Sequence, residues 1–364
     1  MAESAAKVLL ACDFFLKYTT GLARGLADVG CDVVLLTRDH DIEFGGMPGA
    51  MREFVSTTLD GKARHVEIGG RFRDPSRLRE VLGLRRGLGR WSPDFVHIQD
   101  SVTNDMRLAL AGGYPWRHYA LTVHDPVPHP GDRALGARRF LVRRELRRRA
   151  DLVFAHSQGM VDELRQMGDL RHAAEVVPHG FGEVAVAPLP QRPSLLFFGR
   201  ITRYKGLDTL LEAMPIVWES LPEVTLTVAG SGEIPDLPAA ADARVTLRAE
   251  HVPESDVPGL FEAATCVVLP YREATQSGIG SEAKQYGRAM IVTDVGGLPE
   301  LVAAGGGRLV PPEDPAALAA EIVEVVGTPG LAATIGAEGA AGVGEAGWKS
   351  VAAQTLDAYR RYLA

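Results

Sequence analysis

Three short stretches of this chain hold residues whose types and spacing can do chemistry. The richest runs Pro270-Tyr271-Arg272-Glu273-Ala274-Thr275-Gln276-Ser277-Gly278-Ile279-Gly280-Ser281-Glu282. It reads as a strand end, a polar turn of small residues and a helix start. Thr275, Gln276, Ser277 and Gly278 set hydroxyls and backbone N–H groups ahead of that helix, where the dipole and the open amides favour an anion. Glu282 follows about one turn in and can accept two hydrogen bonds from ribose hydroxyls. The second stretch is Phe197-Phe198-Gly199-Arg200-Ile201-Thr202-Arg203-Tyr204-Lys205-Gly206. A buried strand ends there at Gly199. Arg200 offers a planar fork for phosphate oxygens, and Lys205 a point charge. Both stretches read as loops at the carboxyl edge of a parallel sheet, where ligands of such sheets bind. They point to a nucleotide.

The third stretch is Leu121–Asp132, which contains His124-Asp125-Pro126. His124 ends a strand and can hydrogen-bond a transferring group or relay a proton, with Asp125 orienting it. The segment Leu16–Gly21 follows the first strand and reads as a loop facing the same cleft, although it is not G-x-G-x-x-G. Asp39-His40-Asp41 is formally a D-x-D metal pattern, but three-residue patterns arise easily by chance.

The elements that must position these residues alternate throughout. Short, continuous apolar runs at Val8–Ala11, Val33–Thr37, Phe95–Ile98, Tyr119–Val123, Leu152–Ala155 and Glu175–Val177 read as strands buried on both faces. Helical patterns lie between them at Gly21–Val29, Asn104–Ala111, Ala134–Arg149 and Gly159–Met167. The pattern restarts with Ser194–Phe198, Thr225–Ala229, Val245–Arg248, Cys266–Leu269, Met290–Thr293 and Arg308–Val310. This predicts an α/β chain with two Rossmann-like domains facing across a cleft. The first spans residues 1–185 and the second 194–346, with the proline-rich stretch 186–193 as linker. Residues 347–364 read as a last helix with no strand after it, crossing back to the first domain. Leu331–Gly347 reads as a loosely packed helix and connection.

A length of 364 residues suits two α/β domains. The net charge of −7 disfavours a nucleic-acid partner. Cys12, Cys31 and Cys266 have neither metal nor redox spacing and read as reduced core residues of a cytoplasmic protein. There is no signal-peptide pattern at the start and no apolar run long enough to span a membrane. The segment Arg138–Arg149 is strongly basic. It reads either as a solvated helix packed on its own sheet or as a weak contact with anionic lipid at the inner membrane face.

In order and spacing, these motifs resemble the retaining family-4 glycosyltransferases of GT-B architecture (glycosyl transferases group 1). The resemblance rests on Ala150–Ser157, Val176–Phe181, Phe198-Gly199-Arg200 with Lys205-Gly206, Val228–Gly232, Val292–Glu300 and the last helix around Trp348 and Tyr359. It implies transfer of a sugar from a nucleoside-diphosphate sugar to an acceptor hydroxyl, with retention of configuration and without a metal or other cofactor. The acceptor is left open as a sugar, a lipid-linked group or a natural product. Arg200 and Lys205 would bind the diphosphate and stabilise the leaving group. Glu282 would hold the ribose, and Ser277 and Gly278 would donate backbone N–H groups to phosphate. His124 would reach the donor sugar. Gly21, Gly199, Gly230 and Val252 would line the donor site, the last two through backbone near the base.

One departure stands out. The family carries two glutamates seven residues apart, and counting back from Glu282 the first falls on Ala274. Thr275, Gln276 and Ser277 would then meet the sugar hydroxyls as neutral groups, in a Thr-Gln-Ser-Gly branch of the family. Two other activities fit the same frame: a nucleotide-sugar epimerase or hydrolase, and a non-catalytic partner protein.

Overall fold

The computed structural model describes residues 5–363 except 39–40, 70–74, 101–117, 128–135, 181, 183 and 275–276. The expected helix at Asn104–Ala111 lies outside these residues. The chain forms two compact units: Met1–Gly180 with Trp348–Ala364, and Phe181–Gly347.

In the first unit, seven parallel strands form one sheet: β1 Lys7–Cys12, β2 Asp32–Arg38, β3 Arg64–Ile68, β4 Phe95–Gln99, β5 His118–Thr122, β6 Leu152–Ala155 and β7 Ala173–Val176. Their order is β3-β2-β1-β4-β5-β6-β7. The order reverses between β1 and β4, which makes that point the natural ligand crevice. Alternate residues of the central strands enter two separate cores. Val8, Leu10, Val33 and Leu35 pack on one face, and Leu9, Ala11, Val34 and Leu36 on the other. Burial on both faces is why these strands read as unbroken apolar runs. Strand β3 breaks that rule. Among the described residues it sits at the sheet edge and pairs only with β2, and it carries polar residues through Arg64-His65-Val66-Glu67-Ile68.

The first helix corrects the sequence reading. It spans Leu16–Asp28, so Gly21 lies in its second turn and not on a loop. The connecting loop is only Asp13–Phe15, with Phe15 left-handed at φ 65°. The Thr19 and Thr20 hydroxyls donate to the carbonyls of Phe15 and Leu16, each four residues back.

Gly21 and Gly25 make room for another helix instead of a ligand. The helix Trp348–Leu363 lies against Leu16–Asp28 and sends Val351, Ala352, Leu356 and Tyr359 into the same core. A Cβ on Gly21 would fall 2.2 Å from Trp348 Cε2, and one on Gly25 2.4 Å from the Trp348 carbonyl oxygen. Gly180 closes on the other part of the indole, 2.3 Å from Cε3. Gly→Ala inside a helix normally gains up to about 1 kcal/mol. Here Gly21→Ala is expected to lose about 1–3 kcal/mol by overpacking, read as a lower urea midpoint. A gain in stability would rule out this packing role.

The second unit repeats the plan with β8 Ser194–Phe198, β9 Thr225–Ala229, β10 Val245–Arg248, β11 Cys266–Leu269, β12 Ala289–Thr293 and β13 Gly307–Val310. All pairs are parallel, in the order β10-β9-β8-β11-β12-β13, so the reversal falls between β8 and β11. Part of the proline-rich segment is docked on this unit. The fully buried Arg288 donates to the carbonyls of Ala187 and Pro188, and Ala185 N–H donates to Gln285. Leu331–Ala346 is one continuous helix, with no separate connection before Gly347.

Candidate active site

The two basic and polar loops of the second unit follow β8 and β11, the pair that flanks the reversal of strand order. Strand β8 is followed by Gly199 at φ 109°, whose N–H donates to the Ala229 carbonyl. Gly230, at φ 140°, would put a Cβ 2.0 Å from the Gly199 carbonyl oxygen, so only glycine lets these strand ends touch. Arg200 comes next, exposed and with no ion-pair or hydrogen-bond partner among the described residues. The turn Arg203–Lys205 then closes on Gly206.

That turn is fastened to the segment after β11. Arg272 N–H donates to the Tyr204 carbonyl at 2.7 Å. Its guanidinium forks onto Asp208 at 3.0 and 2.8 Å and also donates to the Arg203 carbonyl at 2.8 Å. Burial of Asp208 is outweighed by that fork, which holds its carboxyl below the usual carboxylate range. Lys205 is half-buried, and its ammonium donates to the Tyr271 hydroxyl at 2.7 Å.

The helix Gly278–Gln285 starts on Ser277. The Ser277 hydroxyl accepts from Gly280 N–H at 3.2 Å and lies 3.4 Å from Tyr271 Oη. It is 6% exposed, so it serves as the helix cap and not as a contact for sugar hydroxyls. Gly278 is exposed, and a Cβ there would meet nothing within 4 Å. Glu282 is half-buried on the same helix. Burial, with the Glu282 charge adding to it, pushes the Tyr286 hydroxyl up. Thr275 and Gln276 lie outside the described residues. Ala274 is wedged under the next turn: a Cβ on Gly296 would fall 1.5 Å from its carbonyl oxygen. The side chain of Val252 packs in the core with Phe261 and Tyr286, which leaves only its backbone for a ligand.

In the first unit, His124 is 5% exposed and both ring nitrogens are engaged. Nε2 lies 2.7 Å from the Gln99 side-chain oxygen, and Nδ1 3.2 Å from His156 Nε2. His156 Nδ1 faces the Val177 carbonyl at 3.1 Å and must carry a proton. Its Nε2 therefore accepts from His124 Nδ1–H. A neutral network is completed when the Gln99 amide turns its NH2 to His124; otherwise that NH2 is buried without a hydrogen-bond partner among the described residues. Phe15 stacks on the His124 ring at 3.8 Å, and Tyr18 meets it edge-on at 4.8 Å. Burial pushes His124 well below its ordinary value, with His156 adding to the shift, and takes His156 to about 3 and His179 to about 4. His124 therefore presents no free basic nitrogen. Its ring is held by Gln99 and His156, whereas Asp125 gives its carbonyl oxygen to Arg143 and Arg147.

Two further expectations change. The basic helix, Gly136–Arg149, turns Arg143 and Arg147 onto Asp100, and Arg144 and Arg147 onto Asp169. Arg147, Asp100 and Asp169 are buried, and Arg149 pairs with Glu145, so Arg143, Arg144, Arg147 and Arg149 are each engaged by a carboxylate of this chain. In the D-x-D pattern, Asp39 and His40 lie outside the described residues. The Asp41 carboxylate accepts from Gly49 and Met51 N–H, starting the helix Ala50–Leu59. Among the described residues, no group of three or more His, Cys, Asp or Glu is arranged to hold a metal ion.

Residues 16–180 match the family described as glycosyl transferase 4-like domain, and residues 192–328 the family described as glycosyl transferases group 1. The two units are glycosyltransferase domains. Glycogen synthase of Mycobacterium tuberculosis (strain H37Rv) is 29% identical over 353 residues, covering 87% of this chain and 83% of that protein. The D-inositol 3-phosphate glycosyltransferase of Thermobispora bispora is 25% identical over 407 residues, covering 95% and 89%. Sucrose-phosphate synthase from Thermosynechococcus elongatus shares the fold with a TM-score of 0.74 at 19% identity, over 98% of this chain and 99% of that one. Anabaena HepE in complex with UDP-glucose gives 0.71 at 17%, over 97% and 99%. The glycosyltransferase thus has the GT-B class of fold, with two Rossmann-like α/β units.

Within the second unit of this glycosyltransferase, the fold brings Gly199, Arg200 and Lys205 on one loop beside Ser277, Gly278 and Glu282 at the cap and in the first turns of the helix that follows the other. It sends Gly21 into a helix contact. Sequence reasoning missed Tyr271, Arg272 and Asp208, which hold the lysine turn, and Gln99, His156 and Phe15, which enclose His124. One signal was available for the histidines. His124, His156 and His179 each follow the end of consecutive strands β5, β6 and β7 within three residues.

Proposed function

We propose that this glycosyltransferase moves a sugar from a nucleoside-diphosphate sugar to an acceptor hydroxyl, with retention of configuration and without a metal. The reading is carried by one arrangement: the Lys205 ammonium, the exposed Arg200 and the Ser277-capped helix start share adjacent loops at the reversal of strand order. Charge builds on the departing diphosphate as the glycosidic bond breaks. Arg200, the Tyr271-held Lys205 and the open backbone at Gly278 are positive groups suited to stabilise it. Glu282 supplies the acceptor atoms for ribose hydroxyls. His124, kept neutral, serves as a fixed wall of the first unit's sheet edge. HepE binds UDP-glucose, which makes a uridine-diphosphate sugar the first donor to try. The relatives act under names as different as glycogen synthase and D-inositol 3-phosphate glycosyltransferase, so the acceptor is best sought across glucans and polyols.

The test is a panel of nucleoside-diphosphate sugars and acceptors, followed by mass, with and without EDTA. Acceptor-dependent release of nucleoside diphosphate that survives EDTA, with an unchanged anomeric configuration in the product, is the expected result. Loss of activity in EDTA with recovery on manganese would overturn the metal-free part. A second reading, a non-catalytic partner protein, draws on Ala274, which brings no carboxylate to the donor loop. Tight nucleotide binding without turnover across the whole panel would favour it.

A further inference from the structure

We propose that Tyr271 is a positioning residue that aims the Lys205 ammonium at the start of the helix Gly278–Gln285. The inference rests on the donor-site reading above and goes beyond it by naming what holds the lysine there. Free lysine side chains are flexible and lose rotamer entropy when they bind a ligand. Lys205 is held by a side chain of the protein itself. Its ammonium donates to Tyr271 Oη at 2.7 Å, and Tyr271 Oη lies 3.4 Å from the Ser277 hydroxyl, which in turn accepts from Gly280 N–H. The tyrosine hydroxyl therefore joins the cation to the cap of the helix whose first amides face the proposed diphosphate. A hydroxyl suits this task because it accepts from the ammonium and donates to the serine at the same time.

The body of Tyr271 cannot drift. It is 1% exposed within an apolar cluster that includes Leu269, Ala283 and Val292. Its carbonyl accepts from the Thr293 hydroxyl at 2.5 Å. The next residue, Arg272, ties the lysine turn from the other side through the carbonyls of Tyr204 and Arg203 and through Asp208. Gly206 seals the join: a Cβ there would fall 1.9 Å from the Pro270 carbonyl oxygen. Tyr271 and Arg272 thus make one rigid body of two loops that are 66 residues apart in sequence at the Lys205–Tyr271 bond.

The experiment is calorimetric binding of UDP, GDP, ADP and dTDP, and of the four matching nucleosides, to the full chain and three variants. Tyr271→Phe removes only the hydroxyl, Lys205→Ala removes the charge, and the third carries both changes. Melting temperatures are recorded for each, and Arg272→Gln loosens the same turn by a second route if Tyr271→Phe is poorly folded. Expected results are an approximately tenfold weaker nucleoside diphosphate in Tyr271→Phe, an unchanged nucleoside, and no further loss when Tyr271→Phe is added to Lys205→Ala. That split and that non-additivity would not arise from general loosening of the fold. Equal affinity in Tyr271→Phe and the parent, or fully additive losses, would overturn the proposal alone. A parent chain that binds none of the four diphosphates would overturn the donor reading and the proposal with it.

Discussion

Lys205→Ala is expected to lower sugar transfer by roughly 10²–10³-fold, the scale of losing one preorganised group that meets developing charge. The lysine is half-buried, and among the described residues its ammonium is bonded to the Tyr271 hydroxyl and not to a carboxylate. Its charge is therefore available to a phosphate without first breaking an ion pair. Arg200 remains in the variant, so nucleotide binding is expected to weaken less than turnover. Lys205→Arg keeps the charge but changes its shape, and a guanidinium cannot keep the same single bond to the Tyr271 hydroxyl. It should recover only part of the loss. Steady-state turnover of the donor found in the panel, measured with melting temperature, checks this. Turnover of Lys205→Ala within threefold of the parent would remove Lys205 from the site.

A steep loss of stability in mild acid is expected next, and it should fall on the first unit. Burial takes His97 and His156 to about 3 and His179 to about 4, and pushes His124 well below 6.5. Each is neutral when folded and takes up a proton near 6.5 when unfolded. Between those values the unfolded chain binds more protons, so stability rises with pH and is lost as pH falls from about 6.5 towards 4. Above that window the contribution is complete. Each histidine can contribute up to about 1.4 kcal/mol per pH unit inside it. Several together are enough to exhaust a typical stability of about 5–15 kcal/mol. Glu43 works in the opposite sense, since burial raises its pKa, but it is one group against four. The second unit contains a single histidine, His251. Calorimetry at pH 7.5, 6 and 5 should therefore show one melting transition moving sharply downward while another stays nearly still. Two transitions that shift together, or neither shifting, would contradict the burial of this histidine group.

Much of the frame was legible because parallel strands buried on both faces leave continuous apolar runs. Five strands, Leu152–Ala155, Ser194–Phe198, Thr225–Ala229, Val245–Arg248 and Cys266–Leu269, match the sequence reading residue for residue. Strand β3 was not legible, because a polar edge strand needs no such run. The first helix begins earlier than its sequence pattern shows, for a different reason. Phe15 gives it no side-chain cap; the cap comes from Glu43, whose carboxylate accepts from Leu16 N–H across 27 residues. No local pattern announces a cap supplied from that distance, and by sequence alone Gly21 resembles part of a turn. At the candidate site, Arg200, Lys205 and Glu282 were legible as charged residues beside strand ends. Their supports were not, because Arg272–Asp208 and His124–Gln99 join residues far apart in sequence. Ser277 shows the converse: beside strand ends its hydroxyl reads as a ligand contact, yet it caps the helix, as a serine just before a helix commonly does.

The return of Trp348–Leu363 to the first unit bears on the order in which the molecule is made. Phe181–Gly347 is one uninterrupted stretch, so the second unit has all its parts as soon as that stretch leaves the ribosome. The first unit does not, although it is synthesised earlier. Until the last helix emerges, the groove at Gly21 and Gly25 is empty and His97 lacks the Tyr359 hydroxyl. The nascent first unit must wait with part of its core uncovered while a whole second domain is translated. That interval makes it the half of the chain with most to gain from a chaperone.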